Sequence, residues 1–420
     1  MFSIEKIIIV GVDLGAENFR ECMNELRQLV LAAGGEVVGE LTQKREAIKS
    51  STYLGKGKIE ELSLMVDELE ADTVVFNNEL FGSQIRNIEA EVDRKIIDRT
   101  YLILDIFAKR ATSKEGQLQV QLAKLMYRLP RLAGFYSALS KVAGGIGTRG
   151  LGEQQLELDR RVINKEIQKV KNKLKQVERT RDNTRLNRKR ANLPLVSLVG
   201  YTNSGKSTIL NKLVKEDKQV FAKDMLFATL DTAHRRVNLP NGQPVIMSDT
   251  VGFVSDLPTL LVESFKSTLA EVKQADMIVV VIDGSSPDYQ MQLDTTLLVL
   301  KELDCLDKPM LIVFNKMDLL IGQKPLAFHE KKATKIHVSA LEDAGIDLIL
   351  SGIEEILSDW FEGVSLLVPY DQYSVVDFLN NKYHLVDVEY LEAGVRFNCI
   401  MQRSDITRIQ NYLIDVRMDG

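Results

Sequence analysis

Between residues 4 and 110 the chain alternates short apolar runs with amphipathic stretches: 7–10 then 17–33, 36–41 then 58–69, 73–76 then 83–92, and 95–97 before 101–109. Short apolar runs suit buried strands and the longer stretches follow a helical period, so this part predicts a small parallel α/β domain. The pattern then changes. Leu118, Leu122, Leu125, Leu129 and Leu132 recur at intervals of four and three, and Ile163, Ile167, Val170, Leu174 and Val177 do the same. Each set is one apolar stripe on a helix. Two stripes joined by a glycine-rich loop over 144–152 predict an antiparallel helical hairpin.

From Pro194 onward, strand-like runs at 195–199, 237–239, 245–247, 310–314 and 336–338 are interleaved with helix-like stretches, including 208–214 and a last one at 346–361. Pro194 and Pro369 mark the domain boundaries, because proline cannot continue a helix or a central strand. Beyond them a strand at 366–368, a helix at 374–379, strands at 385–390 and 395–401 joined through 392–394, and a closing helix at 405–413 predict a small α+β appendage. The expected domains are therefore 1–114, 115–192, 193–363 and 364–420.

A chain of 420 residues with 45 % apolar and 27 % charged residues has the composition of a folded multidomain protein. Its apolar runs fall short of the ~18 to 20 residues a membrane span needs, and 1–6 lead straight into a strand without a signal-type leader. A cytoplasmic monomer is expected. Cys22, Cys305 and Cys399 show no paired spacing and are read as packing residues, and the four histidines form no ligand pair. The net charge of -5 is mild, but its distribution is uneven: 155–190 holds thirteen basic against five acidic residues, and 196–362 holds sixteen against twenty-four. A solvated helix face would account for the basic arm. Its density, together with a glycine-rich tip, also suits contact with RNA phosphates through Arg149, Arg179, Arg181, Arg185, Arg188, Lys189 and Arg190.

The chemistry is carried by Gly200-Tyr201-Thr202-Asn203-Ser204-Gly205-Lys206-Ser207, set between a strand and a helix. Such a P-loop turns backbone N–H groups around phosphates at a helix N-terminus, and glycines leave the room to do so. Lys206 is expected on the outer phosphates and the Ser207 hydroxyl on Mg²⁺. Asp249-Thr250-Val251-Gly252 follows the strand at 245–247, with Asp249 placed to hold Mg²⁺ through a water and Gly252 to offer its N–H to the γ-phosphate. Between these motifs lies 225–232, the candidate switch segment, in which Phe227, Ala228 and Thr229 are expected at the nucleotide. Thr229 is the second hydroxyl expected on Mg²⁺, with Thr232 its rival.

Base selection falls to Asn315-Lys316-Met317-Asp318 and Ser339-Ala340-Leu341. The Asp318 carboxylate can accept from N1–H and the 2-amino group of guanine, whereas adenine offers neither donor. Lys316 would lie over the base, Asn315 would brace the loops, and the Ala340 N–H would meet O6. Motifs in this order and spacing predict a Ras-like G domain that binds and hydrolyses GTP. No catalytic side chain is evident, because Phe253 stands where Ras-like enzymes place a glutamine that orients the attacking water. Slow hydrolysis without a partner is expected. Asn203 could also help to hold a K⁺ ion in place of an arginine finger.

The loop at 144–153, the P-loop opening at 200–203, the segment 226–231 and 249–253 together resemble the GTPase HflX family over nearly the full chain. The resemblance implies a ribosome-associated GTPase that binds the large subunit and its rRNA and separates stalled or idle ribosomes. A role in large-subunit assembly, or a switch acting on a protein effector, would use the same G domain. The chain departs from the family pattern at Leu151, where a proline is commoner, and at Gln154, where a threonine is common. Family members have been associated with ATP binding by the N-terminal domain. Here 55–58, Gly-Lys-Gly-Lys, is read as an ordinary helix start with exposed lysines.

Overall fold

The computed structural model describes residues 4–16, 18–136, 151–191, 193–214, 226–227, 233–254, 271–320, 334–358, 361–383 and 385–414, the side chains at 133–136, 151–153, 178–191, 381, 402 and 404 excepted. The chain divides into two compact units, 1–183 with 223–231 and 251–269, and 184–222 with 232–250 and 270–420.

In the first unit, β1 (Lys6–Asp13), β2 (Glu36–Lys44), β3 (Thr73–Phe76) and β4 (Lys95–Asp98) form a parallel sheet in the order β2-β1-β3-β4. Helices α1 (Phe19–Ala33), α2 (Lys56–Glu68), α3 (Gly82–Val92) and α4 (Arg99–Arg110) alternate with the strands, the connectivity that parallel pairing requires. Ile8, Val10, Val74 and Phe76 of β1 and β3 are fully buried against Leu62, Val66 and Ile88 of α2 and α3. Alternating residues of one strand face are thus covered by helix stripes.

Helix α5 (Lys114–Tyr136) and helix α6 (Leu151–Ala191) bring the two predicted stripes together: Leu118, Leu122 and Leu125 form one cluster with Ile163, Ile167 and Val170. Helix α5 is tied to the sheet by a buried ion pair, Arg131 Nη2 to Asp98 Oδ2 at 3.0 Å. Asp98 also caps α4 by accepting from the Tyr101 N–H, and accepts from the Leu80 N–H. The Arg131 guanidinium lies 3.5 Å from the centre of the Tyr127 ring, adding a cation–π contact.

The second unit contains a six-stranded sheet ordered β10-β9-β8-β5-β7-β6, built from β5 (Leu195–Gly200), β6 (Ala233–Asn238), β7 (Pro244–Asp249), β8 (Met277–Asp283), β9 (Met310–Asn315) and β10 (Thr334–His337). Only β6 runs antiparallel to its neighbour. Helices α7 (Lys206–Leu213), α8 (Tyr289–Glu302) and α9 (Ile346–Leu357) belong to it, and α7 and α9 bury Ile209, Leu210, Ile349 and Ile353 against it. Because β5, β7, β8 and β9 are parallel, their carboxyl ends share one edge, where α/β sheets bind ligands.

A second sheet of this unit is antiparallel, ordered β12-β13-β11-β14, from β11 (Phe361–Val368), β12 (Val386–Leu391), β13 (Gly394–Gln402) and β14 (Leu413–Ile414), with α10 (Tyr373–Lys382) beside it. The helix expected at 346–361 stops at Leu357, since Phe361 already pairs with Gln402 at the start of β11. The closing helix expected at 405–413 is a short helix at Arg403–Ile406, a 3₁₀ turn at Gln410–Tyr412 and strand β14. Pairing of Leu413 with Leu366 of β11 accounts for that difference.

Candidate functional site

The P-loop starts where β5 ends. Gly200 has φ 150° and Gly205 has φ 94°, both in the region that favours glycine. A β-carbon on Gly200 would collide with the Val281 carbonyl, and one on Gly205 with the Asn315 amide, so neither position has room for a side chain. Asn203 between them also adopts a left-handed conformation, at φ 60°. This curls 200–205 into a cradle that opens onto the N-terminus of α7. The Thr202 and Ser204 hydroxyls inside it are buried and have no hydrogen-bond partner among the described residues. Unpaired buried hydroxyls are costly, which suits a loop that closes on a polar, phosphate-bearing group.

Lys206 is buried and donates to its own loop, at 3.1 Å to the Gly200 carbonyl and 2.7 Å to the Tyr201 carbonyl. Burial pushes its ammonium down to about 8, against the opposing pull of the Asp249 charge. Asp249 closes β7 and is fully buried, and the Ser207 hydroxyl donates to its Oδ2 at 2.6 Å. A hydroxyl and a carboxylate held together at the mouth of the cradle are hard oxygen donors, and they fit a magnesium ion. The next residue, Thr250, turns its hydroxyl inward to the Leu198 carbonyl at 2.7 Å.

Asn315 braces the P-loop against the turn that follows β10. Its Nδ2 donates to the Ser204 carbonyl at 2.9 Å and its Oδ1 accepts from the Ala340 N–H at 3.0 Å. The Ala340 amide expected to face O6 is therefore engaged with Asn315 in this structure. Ser339 Oγ donates to Asp318 Oδ1 and itself accepts from the Glu342 N–H, which fixes the direction of the hydroxyl proton. Lys316 has φ 62° and its Nζ lies 2.7 Å from Asp283 Oδ2. Met317 donates its N–H to the Val338 carbonyl, and Leu341 is exposed.

The P-loop, Asp249, Thr250 and the residues 315–318 and 339–341 all belong to the second unit. Val251, Gly252 and Phe253 belong to the first, as does Phe227. Phe227 sits at φ 54°, is 2 % exposed, and meets the Phe107 ring of α4 edge-on at 4.6 Å. The Phe253 ring is also buried. Ala228, Thr229 and Thr232 lie outside the described residues, as does Arg149; Arg179, Arg181, Arg185, Arg188, Lys189 and Arg190 lie on α6, with side chains outside the described set. Sequence reading missed Asp283. The signal available was an aspartate closing an apolar strand, followed by Gly-Ser, on the strand next to the one that ends in Asn315.

Three family models match in sequence along the chain: "GTP-binding GTPase N-terminal" over 20–108, "GTP-binding GTPase Middle Region" over 110–188, and "50S ribosome-binding GTPase" over 195–316. GTPase HflX of Caldanaerobacter subterraneus is 44 % identical over 410 residues, covering 98 % of this chain and 94 % of that protein. GTPase HflX of Alkalihalophilus pseudofirmus is 51 % identical over 317 residues, covering 75 % and 74 %, and that of Escherichia coli is 39 % identical over 356 residues, covering 84 % and 83 %. A P-loop cradle with its hydroxyl–carboxylate pair, and similarity running over 98 % of the chain, place it in the GTPase HflX family of GTP-hydrolysing enzymes.

Proposed function

We propose that this chain, acting in the cytoplasm, binds GTP with Mg²⁺, docks on the large ribosomal subunit and separates stalled or idle ribosomes into subunits. The observation that carries the ribosomal part is the arm. Helix α6 runs unbroken for 41 residues, and 155–190 concentrates thirteen basic against five acidic residues immediately before the P-loop strand. A long cationic rod has the electrostatics of a phosphate-backbone contact. The match of 195–316 to a model described as a 50S ribosome-binding GTPase supports the same partner.

At the nucleotide, the amides of the cradle and the Lys206 ammonium would take the outer phosphates, for which Lys206 must leave the Gly200 and Tyr201 carbonyls. Ser207 and Thr229, with Asp249 through a water, would hold Mg²⁺, which neutralises charge on the phosphates. Asp318 selects guanine. Phe253 can neither accept from nor donate to an attacking water, so turnover is slow until a partner orders the switch segments. Asn203 would assist a K⁺ ion, and equal turnover in KCl and NaCl would remove that role.

Co-sedimentation with purified large subunits tests the ribosomal reading. Binding should be strongest with a non-hydrolysable GTP analogue and weak with GDP, and charge reversal at Arg179, Arg181, Arg185, Arg188, Lys189 and Arg190 should abolish it. Sedimentation of assembled ribosomes with the GTP-loaded chain should show conversion to free subunits. Preference for immature particles would point to assembly instead, and unchanged binding after charge reversal would sink the RNA contact.

A further inference from the structure

Asp283 is absent from every motif that identified the nucleotide site, yet it is built into the base loop. It ends β8 directly beside Asn315 of β9, with which it is in register. One of its oxygens is occupied: Oδ1 accepts from the Ser285 N–H at 3.0 Å and from the Ser285 hydroxyl at 2.6 Å. That fixes the carboxylate plane and turns Oδ2 to Lys316 Nζ, 2.7 Å away. Both partners are largely shielded, their side chains 23 % and 16 % exposed. The intervening turn is also fitted to the loop. Gly284 donates its N–H to the Asn315 carbonyl at 2.8 Å, and a β-carbon on Gly284 would come within 2.9 Å of Met317 Sδ.

Lys316 needs such an anchor. A lysine at φ 62° occupies a sparsely populated backbone region, and a long side chain loses rotamer freedom when it is held over a ligand. We infer that Asp283 is a positioning residue for guanine-nucleotide binding: it tethers the Lys316 ammonium so that the methylene stem is already laid out where the purine ring docks. The effect on the base is indirect, through Lys316, and it lengthens the residence of both GTP and GDP. This inference rests on the proposed placement of Lys316 over the base.

The test is the release rate of a fluorescent GDP from the full chain, measured by stopped flow, for Asp283→Asn, Lys316→Met and the double variant. Asp283→Asn should speed release about fivefold, as expected for loss of a partly exposed ion pair, with the loss appearing in KM for GTP more than in kcat. In the Lys316→Met background, which keeps the stem without the charge, the same substitution should change release by less than about twofold, because the two residues act as one unit. Asp283→Glu, which keeps the charge but shifts it, should fall between, and it substitutes for Asp283→Asn if that variant fails to fold. Wild-type release from both Asp283 variants overturns the inference, as does an undiminished effect in the Lys316→Met background. Unchanged release from Lys316→Met overturns it too, whereas unchanged release from Lys316→Ala, which removes the stem, would instead remove the placement of Lys316 over the base.

Discussion

Replacing Asp318 by asparagine should exchange guanine for xanthine, and the structure says how. Ser339 Oγ accepts from the Glu342 N–H and therefore spends its proton on Asp318 Oδ1. In the variant that hydroxyl still needs an acceptor, so the new amide turns its oxygen to Ser339 and its NH₂ group toward the base. Guanine presents two donors, N1–H and the 2-amino group, and the amide nitrogen can accept neither. Two hydrogen bonds to a charged acceptor are lost, at about 1.5–3 kcal/mol each; with some relief from remaining solvent the cost is about 3–4 kcal/mol, a fall in GDP affinity on the order of several hundredfold. Xanthine carries a carbonyl in place of the 2-amino group and accepts from the new NH₂. Calorimetry of GDP and xanthosine diphosphate on both proteins reads the exchange directly. Retention of GDP affinity within about threefold by a folded Asp318→Asn protein would refute the reasoning.

Removing the charge of Arg131 with methionine strands Asp98, which is fully buried, and should destabilise the first unit by about 3 kcal/mol in urea unfolding. Burial already raises the Asp98 carboxyl, with Arg131 opposing it, so the variant raises it further. A raised carboxyl means that the folded state takes up protons more readily than the unfolded one, and stability falls as pH rises through that range; the deficit should therefore shrink at pH ~5 and be largest at neutrality. Phe107→Ala empties a site that is 1 % exposed and should cost about 3 kcal/mol. A double-mutant cycle with Phe227→Ala should return about 1 kcal/mol of coupling for the edge-on pair, and no coupling would mean the rings do not meet. Burial pushes the Cys399 thiol up to about 12, so a thiol reagent at pH ~8 should leave it unlabelled until the protein is unfolded.

The elements most legible in the sequence were those with a strong period. The leucines of α5 and the aliphatics of α6 meet in one cluster along the stripes their spacing marks, and the first parallel sheet follows its alternation strand by strand. Sequence period could not reveal pairing that depends on distant partners. Leu413 reads as part of a helix, yet it pairs with Leu366, forty-seven positions earlier. Nor could it reveal burial of charge: Arg131 resembles any solvated arginine on a helix until Asp98 is seen beneath it. In the site, motif spacing brought the P-loop, 315–318 and 339–341 together but did not reveal the direction of each group. The Ala340 amide is engaged with Asn315, and Phe227 packs on Phe107. Asp283 stayed hidden because its role depends on adjacency of strands β8 and β9, far apart in sequence.

Initial rates of GTP and ATP hydrolysis by the full chain, with and without purified large ribosomal subunits, show whether this is a guanine-specific, ribosome-stimulated GTPase. GTP turnover should be slow for the chain alone and markedly faster with the subunits, and ATP turnover should be negligible under both conditions. Comparable hydrolysis of ATP, or GTP turnover indifferent to the subunits, would contradict this reading.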